Sequence, residues 1–233
     1  MTLFYAPDVA VSPFLPEEES RHAIRVLRLD RGDEITVTDG KGFFYQCTIV
    51  EPHPGRCEVT VVARRQQEPL RRGRIHVAVA PTKSMERMEW FAEKATEIGI
   101  DAITCLRCRF SERREIKTAR LEKILVSAMK QSGKALIPAM NEMTDFKTFA
   151  SRPHGGMKFI AHCEADPQTQ LLQRLYRAGE DAIILIGPEG DFSKDETALA
   201  RQHGFISVSL GESRLRTETA ALVACHTIHV MSS

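Results

Sequence analysis

From Ile75 onwards, short apolar runs alternate with longer stretches whose apolar residues return every three or four positions, and this alternation admits few folds. Ile75–Ala80 reads as an apolar strand. Met85–Ile98 places Met85, Met88, Phe91, Ala92, Ala95 and Ile98 on one helical face, and Gly99 ends it. Ala102–Leu106 is a strand, and Thr118–Ser132 a helix with Leu121, Ile124, Leu125, Ala128 and Met129 inward. Lys158–His162 and Ala182–Ile186 are strands separated by a helix around 169–178. Ser193-Lys-Asp-Glu196 is a capping box that opens a helix to about Gln202. Ile206–Leu210 is a strand, and Thr217–Val230 a closing helix. Such alternation predicts an α/β domain with a mostly parallel sheet covered by helices.

The first part of the chain has a different period. Arg21–Leu29 reads as one short helix, after which Glu34–Asp39 alternates. Asp39-Gly-Lys-Gly42 is a turn signal, Phe43–Val50 is aromatic and β-branched, His53-Pro-Gly55 turns again, and Cys57–Ala63 alternates. Short strands joined by tight turns predict a small β-barrel. The polar stretch 66–73, with Pro69 and Gly73, reads as a linker, giving domains at 1–68 and 73–233.

With 233 residues, 42% of them hydrophobic and 27% charged, the chain can bury a globular core without staples. No apolar stretch approaches a membrane span, and the N-terminus lacks a basic start followed by an apolar run, so a cytoplasmic location is expected. The six cysteines are expected to be reduced; Cys105-Leu-Arg-Cys108 is a single C-x-x-C with no second pair at zinc-ribbon spacing. No residue cluster demands a metal. Net charge is only +1, but arginines cluster at 21–31, 64–74 and 107–114. Each cluster fits a solvated surface; together they favour a phosphate backbone as partner.

Several chemistries have no fingerprint here. There is no G-x-x-x-x-G-K-[ST] loop, no G-x-G-x-x-G after a strand, no G-x-S-x-G and no H-E-x-x-H. Two strand-ending loops near the C-terminal end stand out instead. Leu185-Ile-Gly-Pro-Glu-Gly-Asp-Phe-Ser193 runs from a strand through Gly187 and Gly190 into a capped helix. It is either a tight turn or a ligand loop, since ligands of open α/β sheets sit at the carboxyl ends of strands. Leu210-Gly-Glu-Ser-Arg-Leu-Arg-Thr-Glu-Thr-Ala220 again leaves a strand at a glycine and enters a helix. Thr217 there caps the helix or does more, and Glu218 complements its dipole or does more. Arg216 opposes that dipole, which points to a task such as holding a phosphate or an anionic base.

These two loops resemble those of the ribosomal small-subunit RNA (uracil-N3) methyltransferases of the SPOUT superfamily. Upstream, Lys83–Gly99 resembles the family's first helix, Ser111-Glu-Arg113 its S-E-R element, and Ala128–Gly133 its Q-S-G segment. His22-Ala-Ile-Arg-Val-Leu-Arg28 with Gly32-Asp33 resembles its opening motif. The resemblance spans nearly the whole chain. Two departures concern loop geometry: many members carry glycine at the place of Asp191, and proline and isoleucine where this chain has Glu212, Ser213 and Leu215.

The resemblance implies a PUA-like N-terminal barrel for RNA, a C-terminal domain tied in a trefoil knot, a homodimer, and S-adenosyl-L-methionine as cofactor. Its cofactor residues would be His162, Leu185, Ile186, Gly187, Pro188, Glu189, Gly190, Leu210, Gly211, Leu215, Arg216, Thr217, Thr219 and Ala220. A third loop, after His162, would also touch the adenosine. His22, Arg25, Arg28 and Arg113 would contact RNA, although a histidine on a helix face also serves structure alone. Trp90 would pack on a dimer partner or on the core. The implied reaction methylates N3 of a specific uridine in 16S ribosomal RNA, on the assembled small subunit. Arg216 is the first candidate to stabilise the anionic base and Arg214 the second, while Glu218 accepts the proton or, more in keeping with a weak carboxylate base, orients Arg216. A transfer RNA or ribose target, and a non-catalytic RNA-binding assembly factor, are the alternatives.

Overall fold

The computed structural model describes residues 2–163 and 169–233. They form two compact units, residues 2–68 with 126–137, and residues 69–125 with 138–163 and 169–233.

In the first unit β1 (Leu3–Tyr5) lies parallel to β2 (Glu34–Thr38), which pairs antiparallel with β3 (Phe43–Glu51), and β3 with β4 (Glu58–Gln66). The expected turn between β2 and β3 forms. Asp39 Oδ1 accepts the amides of Lys41 (2.7 Å) and Phe43 (3.2 Å), and Gly40 and Gly42 supply the left-handed φ of 72° and 102°. Alternation puts Val37, Tyr45, Cys47, Ile49 and Val59 inward with Phe4. Phe14 bridges Glu58, so the N-terminal segment borders both edges of the sheet. Residues 126–137 complete this unit: Lys130 is paired with Glu19, and Ala135 packs with Leu3 and Phe44.

The helix expected at Arg21–Leu29 is displaced. α1 spans Glu17–Arg21 and passes into a π-helical turn at His22–Val26, where the Leu27 amide reaches the His22 carbonyl at 3.0 Å. Arg28 then takes φ 58° and reverses the chain. The wider turn explains the shift, because periodicity of 3.6 cannot register an inserted residue.

The second unit holds β5 (Ile75–Val79), α2 (Met85–Ile98), β6 (Ala102–Arg107), β7 (Ala139–Asp145) and α4 (Phe146–Ser151). α3 (Thr118–Gln131) lies between β6 and β7 in sequence. Next come β8 (Met157–Ala161), β9 (Gln170–Leu171), α5 (Leu172–Leu175), β10 (Ala182–Ile186), α6 (Lys194–Gln202), β11 (Ile206–Ser209) and α7 (Thr217–Ser232). All seven strands run parallel in the order β7-β6-β5-β10-β8-β11-β9, the α/β architecture expected. α2 keeps the expected bounds, with Met88, Phe91, Ala92 and Ala95 buried and Gly99 at φ 113° ending it. The capping box also forms: Ser193 Oγ accepts the Glu196 amide, and the Ser193 amide reaches Glu196 Oε2 at 2.9 Å.

The helix expected around 169–178 does not form. Gln170 and Leu171 instead pair with Val208 and Ser209 as an edge strand, and only the single turn Leu172–Leu175 is helical. Strand pairing overrides a helical preference that so short a segment cannot sustain. Cys105 and Cys108 are buried free thiols; burial pushes Cys105 up to about 12 and raises Cys108 as well. Trp90 on α2 is 42% exposed.

His76 on β5 is largely enclosed, with Nε2 2.7 Å from Thr104 Oγ1 and its ring edge-on to Phe149. Burial, then His154 and Arg74, lower its pKa to about 4. Between about pH 6.5 and pH 4 the unfolded chain takes up this proton while the fold does not, so stability falls as pH falls across that window. Urea denaturation at pH 6.5 and pH 5 should show wild type losing about 2 kcal/mol more than His76→Gln. Equal losses would mean that His76 titrates normally in the fold.

A candidate binding cavity at the carboxyl edge of the sheet

β8, β10 and β11 lie side by side with β10 against β5, and their carboxyl ends open on one cavity of about 990 Å³. Its lining comes from four places: Arg87 of α2, Ala161–Cys163 with Thr169, the loop Ile186–Asp191, and Val208 to Glu218 with Ala220. This is where ligands of parallel sheets bind, because strand ends there release their chain into loops with free amides.

Two glycines shape the walls. A Cβ on Gly187 would lie 3.2 Å from Phe192 in the same loop, and one on Gly190 would lie 3.1 Å from Phe110 Cβ in the loop after β6, so each neighbour would have to give by a few tenths of an ångström. Gly211 holds φ 129°, a backbone that other residues rarely adopt. Thr217 is buried in the first turn of α7, and its hydroxyl donates to the Gly187 carbonyl at 3.1 Å. It thereby ties the two sequence-predicted loops together; Arg216, not Thr217, holds the cap position of α7.

Of the sequence-predicted cofactor residues, His162, Ile186–Gly190, Leu210, Gly211, Leu215, Arg216, Thr217 and Ala220 line the cavity. Leu185 points into the hydrophobic core and Thr219 sits on α7 without lining it. His162 Nε2 lies 2.9 Å from Ser207 Oγ. Most of the expected third loop, residues 164–168, lies outside the described residues. Arg214, Arg216 and Glu218 all line the cavity. His22, Arg25 and Arg28 belong to the first unit, with the His22 ring 5.9 Å from that of Phe4. Arg113 reaches back to the carbonyls of Thr82 (3.3 Å) and Lys83 (2.6 Å).

Sequence reasoning missed Arg87. It comes from α2, and its Nε lies 3.7 Å from Glu218 Oε1. Glu218 therefore faces Arg87, and among the described residues it forms no ion pair with Arg216. Its side chain is 9% exposed, and Oε2 is buried without a hydrogen-bond partner among the described residues. A buried unpartnered carboxylate oxygen is costly and wants a donor from elsewhere. No local pattern marks Arg87, since only the packing of α2 on α7 brings it here.

Asp191 was also unforeseen in its role. It holds φ 66°, unusual outside glycine, and its carboxylate accepts the amides of Phe192 and, across 28 positions, Cys163, both at 2.8 Å. It staples the chain after β8 to the loop after β10.

Residues 68–229 match the family described as RNA methyltransferase domain, and residues 15–62 the RNA methyltransferase PUA domain. Ribosomal RNA small subunit methyltransferase E of Mycobacterium bovis is 30% identical over 99% of this chain and 92% of its own length. A crystal structure described as a "probable rRNA-methyltransferase" from Porphyromonas gingivalis is similar with a TM-score of 0.95 at 44% identity, covering 100% of this chain and 98% of that one. Ribosomal RNA small subunit methyltransferase E of Neisseria gonorrhoeae, crystallised bound to S-adenosyl methionine, gives a TM-score of 0.87 at 26% identity, covering 100% and 98%.

Asp191→Gly removes the staple but suits the left-handed backbone. Hydrogen exchange at the Cys163 amide should quicken by about tenfold, one charged hydrogen bond's worth, while global stability changes by less than about 1 kcal/mol. Unchanged exchange at Cys163 would mean that the carboxylate does not hold that loop.

Proposed function

Because the chain belongs to the RNA methyltransferase family and groups with its ribosomal RNA small subunit methyltransferase E members, we propose that it methylates N3 of a uridine in small-subunit ribosomal RNA, with S-adenosyl-L-methionine as methyl donor. The observation that carries this reading is the cavity itself, with two glycine-shaped loops, a buried carboxylate oxygen in need of a donor, and three arginines in its lining.

The residues suit that cofactor. Ile186, Val208, Leu210 and Leu215 offer apolar contact for an adenine, and the loops at Gly187 and Gly211 leave room for a folded ligand. Glu218 and the arginines provide both signs of charge for an amino-acid moiety. When bound, S-adenosylmethionine supplies an electrophilic methyl group on a sulfonium.

The chain's own residues have two tasks. One is positioning, which for methyl transfer accounts for most of the rate. The other is charge. Uracil N3 keeps its proton in neutral water, and giving it up to solvent water leaves negative charge spread onto the ring carbonyl oxygens until the methyl group is received. Arg216, with Arg214 beside it, stabilises that charge, and Arg87 holds Glu218 in place through their ion pair. Glu218 Oε2 takes a hydrogen bond from the cofactor or from the target base. His22, Arg25, Arg28 and Arg113 hold the RNA. The reading further includes a cytoplasmic homodimer, a trefoil knot around the cofactor loops, domains near 1–68 and 73–233, and the assembled small subunit as substrate. No described helix is long and apolar enough to cross a membrane.

Nucleoside mass spectrometry of small-subunit ribosomal RNA should show 3-methyluridine with the protein and none without it. At saturating S-adenosylmethionine, with saturation checked by calorimetry, Arg216→Ala should lower kcat by about 10²- to 10³-fold, a loss that weaker cofactor binding does not produce. Full activity in that variant would remove Arg216 from the chemistry, and absence of any heat in wild type would overturn the enzymatic reading.

A further inference from the structure

Phe110 is an exposed aromatic that abuts Gly190, a residue of the cavity lining. It stands in the loop after β6 and is 51% accessible, whereas most of the protein's phenylalanines are buried. The loop is nevertheless well anchored. The Ser111 amide reaches the Cys108 carbonyl at 3.2 Å, Ser111 Oγ accepts the Cys108 amide at 3.0 Å, and Glu196 Oε1 accepts the Arg109 amide at 2.8 Å. Gly190, which lines the cavity, meets Phe110 so closely that a Cβ there would lie 3.1 Å from Phe110 Cβ and 3.8 Å from Cγ. The backbone that carries the ring is thus held beside Gly190, while about half of the side chain's surface faces solvent.

The segment around it carries Arg109, Arg113, Arg114 and Lys117 against Glu112 and Glu115, a basic excess. Glu112 is paired with Lys83 at 3.1 Å and Arg113 with backbone carbonyls. Among the described residues, no ion pair involves the Arg109 or Arg114 guanidinium. An exposed ring on an anchored loop among unneutralised arginines matches the way proteins hold unpaired nucleotides, with the aromatic face under a base and cations on the phosphates. A base whose ring atom is to react must leave its own stack, and replacing that lost stacking favours reaching the site.

We propose that Phe110 is a base-stacking residue for the RNA substrate, receiving the target nucleotide or its immediate neighbour beside the cavity lining while Arg109 and Arg114 meet the adjoining phosphates. This rests on the methyltransferase reading of the cavity. A second copy of the chain covering the ring is the competing occupant, and the charge beside the ring favours RNA over a neutral protein face.

The test uses the full chain and small ribosomal subunits from cells lacking the gene, with methyl incorporation followed at varied subunit concentration. Phe110→Ala and Phe110→Leu should raise KM for the subunit by about tenfold or more, with kcat much less affected, while Phe110→Tyr and Phe110→Trp restore it. Calorimetry should give all four the wild-type affinity for S-adenosylmethionine, and sedimentation the wild-type oligomeric state. The proposal is overturned if leucine serves as well as phenylalanine, if alanine leaves KM unchanged, or if Phe110→Ala alters the oligomeric state. Should wild type bind the cofactor and yet label no RNA, the parent reading fails instead, and the stacking role goes with it.

Discussion

One loop holds the carboxyl edge of the sheet together, and it does so with carboxylates on backbone amides. Glu189 accepts the amide of Lys83 after β5, Asp191 that of Cys163 after β8, and Glu196 that of Arg109 after β6, at 3.0, 2.8 and 2.8 Å. Thr217 adds a bond from α7 to the carbonyl of Gly187 in the same loop. Loop chains leave amides unpaired once strand pairing ends, and a charged acceptor satisfies them more strongly than a neutral one. The cavity walls therefore depend on the short stretch 187–196. Glu189 and Asp191 there line the cavity, yet their carboxylates are already committed to other loops.

Such anchoring matters because methyl transfer gains most from geometry. A loose loop would surrender part of the advantage of fixing reactants together. The strand β10 beneath is buried along its whole length, so the loop stands on a rigid base, and α6 begins from it with a capping box whose glutamate also serves as one of the ties. Glu196 illustrates the economy: Oε2 caps the helix while Oε1 holds the β6 loop.

How much of this was legible in the sequence follows from the range of each interaction. α2, β10 and the capping box were readable because period and cap chemistry are local. β7 was not, since it is an edge strand with a mostly exposed, polar surface and no alternation. β9 appeared where a helix was expected because its partner, β11, lies far along the chain. The two glycine loops were visible as punctuation, and their convergence on one cavity came from placing their strands within one parallel sheet. Arg87 and Phe110 carried no local signal. Each acquires its position from a neighbour distant in sequence, Glu218 for the first and Gly190 for the second.

The charge balance in the cavity narrows what it can hold. A plain anion site would be uniformly positive, yet Arg87, Arg214 and Arg216 share the lining with Glu189, Asp191, Glu212 and Glu218. Glu189 and Asp191 are engaged with backbone amides, and Glu212 is exposed to solvent. Glu218 is the buried one, and only its Oε1 approaches a cation. Its place in the first turn of α7 favours a negative charge, whereas the same helix end disfavours Arg216 by a few tenths to about 1 kcal/mol. A cation kept at a helix end that disfavours it, in the same lining as a carboxylate oxygen that has no donor among the described residues, suits a cofactor that carries both signs of charge.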